Sequence, residues 1–447
     1  MTLPQGFQDR MTRDLGEEAS AFFHSLTLSP CRSLRINPAL LTKELLFSQL
    51  GEEAKPLPFG KNAYYFTKDG IGKLPLHHSG AVYVQEPAAM APVFALPEGK
   101  HRLILDLCAA PGGKSLQAAG LLSENGILVS NEPVAVRRRI LMQNIERLGE
   151  KRALVTGFDA TRLPTAFRGK FSLVIVDAPC SGEGMMRKSE EAVSMWSQEL
   201  IAECAARQKQ ILESAAEALL PGGLLLYATC TWAKEENEEQ IAAFLARHSD
   251  FSSIAPNKEV ADAACEGALP HTLRFYPHRF EGEGQFLAIL QKEDQESEPA
   301  LTKEAKKKKG KEKKPIPEEK IVWDFLGSVL KSLPKGNLYF REDSVFLLPD
   351  MPFSADDFVS PGILIGSVQK GRVIPHHRFF RAFAGEMKNQ FVIPLDDPRT
   401  EAYLRGEEIA LTGEGYGVLF AHTLPLGGVK ATGGRGKNLY PKGLREP

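Results

Sequence analysis

Residues 103–115 read LILDLCAAPGGKS. The apolar run Leu103–Leu107 has the length of a buried strand and passes directly into a loop with two adjacent glycines. A glycine-bearing turn between a strand and a helix lets backbone amides approach a ligand closely. Working outward, the same alternation recurs as far as Gln291. GILVSN (Gly126–Asn131), ALVTG (Ala153–Gly157), FSLVIVD (Phe171–Asp177) and GLLLYAT (Gly223–Thr229) read as short buried strands. The spacing predicts a helix between the second and third strands, with Val134, Leu141, Ile145 and Leu148 on one stripe. A second helix is expected from Gln198 to Leu220, stopped by Pro221-Gly222-Gly223. Alternating β and α elements imply an α/β fold with a doubly wound, mostly parallel sheet, in which ligands bind at the carboxyl ends of strands. Those ends are Asp106-Leu107-Cys108, Asn131-Glu132, Gly157-Phe158-Asp159, Asp177-Ala178-Pro179-Cys180 and Thr229-Cys230. Every one carries a polar or reactive group.

The first loop narrows the ligand. GGKS mimics the end of a phosphate-binding loop, but GxxxxGK[ST] needs glycine where Cys108 stands. The dinucleotide fingerprint GxGxxG is absent. A nucleoside site remains, and Glu132 ends the second strand where a carboxylate typically takes ribose hydroxyls. S-adenosyl-L-methionine fits, having ribose and adenine but no phosphate. Glu132 also reads as an ordinary helix-start carboxylate.

Two cysteines point to the chemistry. Asp177 and Cys180 stand at the fourth strand end, where amino-methylating enzymes of this fold class carry an aromatic residue in place of the cysteine. An exocyclic amine has a lone pair and needs no covalent activation. Carbon 5 of a pyrimidine does not, so its methylation requires a nucleophile first added at carbon 6. A thiolate suits that role. Cys230 follows the fifth strand just before a helix opening, where backbone amides favour thiolate character. The residues alone leave open which of Cys180 and Cys230 attacks. Cys31, Cys204 and Cys265 read as small buried hydrophobes.

The chain has 447 residues with 43% hydrophobic content, enough for two or three domains with their own cores. No apolar run approaches the ~20 residues of a membrane span, and the N-terminus has no signal-like apolar region. Six cysteines without a CxxC pair suggest free thiols and no metal site. A cytoplasmic protein is expected, with no membrane partner. Net charge is −1, from 55 Lys+Arg against 56 Asp+Glu, which argues against a globally basic nucleic-acid binder but not against local patches. The expected organisation is an N-terminal RNA-recognition domain over 1–82 and a methyltransferase domain over 83–293. A Lys/Glu-rich linker over 294–320 follows, then an α+β module over 321–388 and an RNA-binding end over 389–447. In that end Lys430, Arg435, Lys437, Lys442 and Arg445, with Tyr440, suit a surface contacting the nucleic-acid backbone; a solvated loop is the other reading. His278 reads as a packed or hydrogen-bonded histidine, and Trp232 as a bulky residue shaping the pocket wall beside Cys230.

DLCAAPGGKS, DAPCSGEG and YATCTWAKEENE resemble the Sun family of RNA (cytosine-5) methyltransferases. SLRINP (Ser33–Pro38), VQEPAAM (Val84–Met90), NEPVAVRRRILMQNIERLG and RFYPHRFEGEGQF extend the likeness over about the first 290 residues. PGILIGSVQKGR and GKNLYPKGLR resemble the PUA-like end of the RsmF-type branch, which modifies 16S ribosomal RNA. The resemblance implies that Cys230 attacks carbon 6, Cys180 assists product release and Asp177 contacts the cytosine ring nitrogen. Lys114 is implied as an active-site lysine, with a solvent-facing helix-start lysine as its alternative. S-adenosyl-L-methionine would be held by Cys108, Ala109, Ala110, Pro111, Gly112, Gly113, Lys114, Glu132, Asp159 and Asp177. Arg137 either reaches the methionine carboxylate or is a plain surface arginine. The implied partner is RNA, most of all 16S ribosomal RNA or the small subunit. Transfer RNA as substrate, or a ribosome-assembly factor that binds RNA without needing catalysis, are the alternatives. Uracil fits less well, because its N3 already carries hydrogen and offers a protonated Asp177 no acceptor.

Overall fold

A computed structural model describes residues 2–294 and 317–446. Most of the expected linker lies outside the described residues; its last four residues, 317–320, begin a helix, Pro317–Val329. The N-terminal region opens with helices Gln5–Leu15 and Ala19–Ser25. It then forms a three-stranded antiparallel sheet of β1 (Ser33–Ile36), β2 (Ala63–Tyr65) and β3 (Val82–Val84). SLRINP supplies the central strand, as its pattern suggests.

The parallel core consists of β4 (His101–Asp106), β5 (Leu122–Asn131), β6 (Ala153–Thr156), β7 (Phe171–Asp177) and β8 (Leu219–Thr229). Their spatial order is β8-β7-β4-β5-β6. Chain direction across the sheet reverses between β4 and β7, so the crevice for a ligand opens at the carboxyl ends of those two strands. The central segments of these strands, such as Gly126–Val129 and Leu224–Ala228, are apolar runs because both faces are covered there. Ile104, Leu128, Leu173 and Leu226 face one core, and Leu105, Val129, Val174 and Leu225 face the other.

The sheet departs from a mostly parallel one. β9 (Phe251–Ser253), β10 (Cys265–Glu266), β11 (Leu273–Phe275) and β12 (Gln285–Lys292) add an antiparallel half, with β12 running against β8 from Phe286↔Thr229 to Gln291↔Leu224. Residues 276–284 between β11 and β12 are too few for the helical crossover that parallel strands require. The helix after β5 runs Ala135–Leu148 and buries Leu141 and Ile145. Val134 does not join that stripe: it precedes the helix in an extended conformation and is 50% exposed. The long helix ends at Ala218, two residues early, because Leu219 already pairs in β8.

The C-terminal part contains a four-stranded sheet, β13 (Asn337–Arg341), β14 (Ser344–Leu348), β15 (Ile363–Gln369) and β16 (Arg372–Pro375). A five-stranded sheet follows, of β17 (Gln390–Ile393), β18 (Ile409–Ala410), β19 (Gly415–Ala421), β20 (Leu424–Thr432) and β21 (Arg435–Asn438). Both are seated on the preceding domains. Val155 in β6 donates to the Ser360 carbonyl at 3.0 Å and accepts from the Ser360 N–H at 3.1 Å. Arg381 donates to the carbonyls of Ser79, Arg147 and Pro425. Tyr440 is not available to stack on RNA. It is 4% exposed and its hydroxyl meets His78 Nδ1 at 2.8 Å, because this part of the tail packs against the N-terminal region. Lys430, Arg435, Lys437 and Lys442 are exposed, whereas Arg445 folds back onto the Tyr440 carbonyl at 3.2 Å. Among the described residues no helix is long and apolar enough to cross a membrane.

Candidate active site

The loop after β4 is shaped by buried polar groups. Asp106 accepts from the Cys108 N–H at 3.2 Å and from the Ser115 hydroxyl at 2.6 Å, bending the chain into the short helix Gly113–Ala118. Burial pushes the Asp106 carboxyl up to about 7, with Asp177 adding to the effect. Asn131 donates to the carbonyls of Leu107 and Phe158 at 3.0 and 3.1 Å, and its oxygen accepts from Thr156 and the Phe158 N–H. One amide therefore fixes the ends of three strands. Gly112 has φ +113°, a conformation side chains rarely adopt, and a Cβ there would press on Leu141 at 3.1 Å. The N-terminal region buttresses the loop from outside: Arg35 donates to the Gly113 carbonyl at 2.9 Å and to Gln85 at 3.2 Å.

Glu132 is buried and accepts from the Val134 N–H at 2.9 Å. Arg137 lies 3.5 Å from the other Glu132 oxygen and donates to the Ala110 carbonyl at 3.0 Å, so it braces the loop. Asp159 accepts from the Thr161 N–H and hydroxyl at 3.0 and 2.9 Å, which holds its carboxyl below the usual range. Burial, reinforced by Asp106, Asp177 and Glu132, pushes the Cys108 thiol well up.

Across the crevice, Cys180 Sγ and Cys230 Sγ are 3.2 Å apart. The hydrogen bond to Cys230, together with burial, raises the Cys180 thiol well above its ordinary range. Lys114 Nζ contacts Asp177 Oδ1 at 2.9 Å, and its side chain is buried, not solvent-facing. Burial works against the Lys114 charge, but Asp177, Cys230 and Asp106 outweigh it and the proton is held more firmly than on a free lysine.

All the site residues expected from sequence except Gly112 line one cleft of about 980 Å³, with Tyr83, Gln85, Arg162, Arg207 and Gln285 also on its walls. Gly112 turns toward Leu141 instead. Trp232 does not shape this cleft. It is 2% exposed, packs with Phe7, Met11 and Phe22, and donates to the Phe275 carbonyl at 3.0 Å. His278 is hydrogen-bonded to Glu18 at 2.9 Å.

Sequence reasoning missed the residues that hold the two cysteine loops. Glu236 accepts from the Ser181 N–H at 2.9 Å, from the Ser181 hydroxyl and from Gln208 Nε2 at 2.9 Å. Gln208 also donates to the Pro179 carbonyl at 3.0 Å, and the Ser181 and Thr231 hydroxyls are 2.9 Å apart. Glu183 accepts from Arg10, from Trp196 Nε1 at 2.7 Å and from the Trp232 N–H at 3.0 Å. Gly184 passes close to this junction: its N–H donates to the Cys230 carbonyl at 2.8 Å, and a Cβ would strike Gly284. The only sequence signal for Glu236 is an acid after TCTWAKE, which reads equally as a helix-start charge.

Family models match three stretches of the chain. 16S rRNA methyltransferase RsmB/F covers residues 93–291, the N-terminal domain of 16S rRNA methyltransferase RsmF covers 3–87, and the methyltransferase RsmF PUA domain covers 390–446. The chain is 32% identical to ribosomal RNA small subunit methyltransferase F of Vibrio vulnificus, over 87% of this chain and 85% of that protein. It is 30% identical to the protein of that name from Shewanella loihica, over 99% of this chain and 95% of the relative. Among solved structures, a methyltransferase homolog protein from Pyrococcus horikoshii superposes with a TM-score of 0.53 at 25% identity, covering 65% of this chain and 95% of that one. With its N-terminal domain, methyltransferase core and PUA domain all matched, the chain belongs to the RsmF-type family of ribosomal RNA methyltransferases.

Proposed function

We propose that the chain methylates carbon 5 of a cytidine in 16S ribosomal RNA, with S-adenosyl-L-methionine as methyl donor and Cys230 as covalent nucleophile. The observation that carries this reading is the thiol pair, 3.2 Å apart at the ends of adjacent strands and in one cleft with the Lys114–Asp177 pair. The cleft's other end suits the donor. Gln85 lies 3.1 Å from a Cβ built on Gly113, so the loop leaves only backbone facing that wall, and the buried Glu132 carboxylate stands where ribose hydroxyls would be taken. S-adenosyl-L-methionine, when bound, supplies an electrophilic methyl group on a sulfonium.

The chain's own residues divide the remaining work. A cytidine unpaired or flipped from its helix enters the cleft. Cys230 Sγ bonds to C6, and electron density moves onto the ring. Asp177, paired with the Lys114 ammonium, contacts the ring nitrogen N3, and the ammonium offsets the charge that develops on the ring. After methylation a base removes the C5 proton, the C5–C6 double bond re-forms, and the C6–S electron pair leaves with Cys230. The neutral Cys180 thiol donates to the departing sulfur.

The test is nucleoside mass spectrometry of small subunits and transfer RNA from cells lacking the gene, after incubation with protein and S-adenosyl-L-methionine. New 5-methylcytidine is expected in ribosomal RNA, with loss of at least about 10³-fold in Cys230→Ala. Product in transfer RNA alone would reassign the substrate. A Cys230→Ala variant that keeps full cellular function would favour an assembly factor.

A further inference from the structure

We propose that Glu236 is the positioning residue that holds Cys180 against Cys230, and that it acts on release of the product and not on attack. The inference rests on Cys230 being the nucleophile. Ladder pairing of β7 with β8 ends at Asp177↔Ala228, before either cysteine, and beyond it two main-chain bonds remain, from the Ala178 N–H to the Ala228 carbonyl at 2.9 Å and from the Gly184 N–H to the Cys230 carbonyl at 2.8 Å. Past that point the two loops are tied mainly through side chains. Glu236 rides with the Cys230 side: it lies six residues on in the same loop, and its carbonyl accepts from the Tyr227 hydroxyl of β8 at 2.6 Å. Its carboxylate reaches across to the Cys180 side. It takes the Ser181 N–H directly and, through Gln208, the Pro179 carbonyl, so both neighbours of Cys180 are held by one group.

Glu236 is fully buried and does not line the cleft, so it touches no substrate. Attack requires Cys230 alone, and Cys230 directly follows the last residue of β8, with the next residue braced by the Asn237 amide on the Thr231 carbonyl at 2.9 Å. Release requires both sulfurs at contact distance. Removing the carboxylate leaves the buried Ser181 N–H without an acceptor, and reduces the Ser181 hydroxyl to its Thr231 contact and Gln208 Nε2 to the Pro179 carbonyl. Because Ser181–Thr231, Gly184–Cys230 and Glu183–Trp232 still join the loops, the expected movement is local to Pro179–Ser181, where it takes the Cys180 sulfur out of contact while Cys230 stays in place.

The experiment uses the full chain and a thiol-exchange reagent, 5,5′-dithiobis(2-nitrobenzoate). One thiolate attacks the reagent and expels a thionitrobenzoate. The second thiol loses its proton and displaces another, forming the Cys180–Cys230 disulfide; the two thiols supply the two electrons that reduce the reagent. Mass spectrometry of the cross-linked peptide reports whether the sulfurs meet. A yield lower by about fivefold or more is expected for Glu236→Ala, and near wild type for Glu236→Gln, which keeps the shape and one acceptor. With RNA and S-adenosyl-L-methionine, Glu236→Ala and Cys180→Ala should both accumulate covalent protein–RNA adduct on a denaturing gel, while single-turnover methyl transfer by Glu236→Ala stays within about threefold. A merely structural loss would lower adduct and methyl transfer together. Wild-type cross-linking with no excess adduct overturns the proposal. If Glu236→Ala does not fold, Gln208→Ala decides at the same readouts: a partial cross-linking loss supports the proposal and none overturns it. Absence of adduct in Cys180→Ala itself would sink the covalent-cysteine reading, while the cross-link yield still reports on Glu236.

Discussion

Two buried polar clusters join separate pieces of this chain, and they are built with opposite charge. Around the thiols, carboxylates collect donors: Glu236 gathers Ser181 and Gln208, and Glu183 gathers Arg10, Trp196 and Trp232. Between the parallel sheet and the C-terminal part, guanidinium groups collect acceptors. Arg381 takes three carbonyls from three segments, and Arg378 takes the Ala153 carbonyl at 3.0 Å and the Ser360 hydroxyl at 2.7 Å. Arg147 takes the carbonyls of His77 and Val82 at 2.8 and 3.0 Å. The difference follows from what is left over at each place. Turns after parallel strands expose N–H groups, which an acceptor-only carboxylate satisfies, whereas ends of elements meeting at a domain junction expose carbonyls, which arginine's five-donor fork satisfies. Burial pushes Arg147, Arg378 and Arg381 each down to about 10, still far above neutrality, so the junction stays cationic.

That comparison breaks most readily at Arg381. Arg381→Met should strand three carbonyls and cost about 3–5 kcal/mol in a denaturant melt, with the C-terminal part becoming open to limited proteolysis. A melt like wild type would show that the carbonyls need no such collector. A smaller effect sharpens the electrostatics. Burial pushes the Glu146 carboxyl up to about 7 from 4.5, although Arg378 and Arg381 pull it down. His376, 3.7 Å away and pushed down to about 4 by burial, is neutral through this window. A raised carboxyl favours the protonated native state, so stability should fall as pH rises from about 4.5 to about 7 and then level. Glu146→Gln should remove about 1–3 kcal/mol of that slope, read as Tm against pH; an unchanged slope would place the acid in water. Smallest is Tyr440→Phe, which removes the bond to His78 and should cost about 1 kcal/mol. A loss several times larger would mean that the tail packs on that hydroxyl's network as a unit.

What the sequence discloses follows the physics of each element. The parallel strands are legible because burial on both faces writes them as apolar runs, and their ends carry the chemistry by fold rule alone. β10 and β11, of two and three residues, are too short for any periodic signal; β11 forms on the edge that β12 offers, and β10 on the edge of β11. Trp232 reads as a pocket wall from its place beside Cys230, but its ring turns to the core of Phe7 and Phe22, and adjacency along the chain does not fix that choice. Tyr440 among basic residues looks like a stacking surface until His78, far away in sequence, is brought beside it. Glu236 is hidden for the same reason: its meaning lies in Ser181, which belongs to another loop.

The Val155–Ser360 pairing has a consequence outside catalysis. β6 is the last strand on its side of the nine-stranded sheet, and every residue in it, Ala153 to Thr156, is buried. A bare apolar edge strand is a template for the backbone of another molecule. The segment at Ser360 occupies that template with one main-chain bridge, and Arg378 fastens it from the side. The C-terminal part thus serves the core as an edge guard, keeping the sheet from recruiting a neighbour.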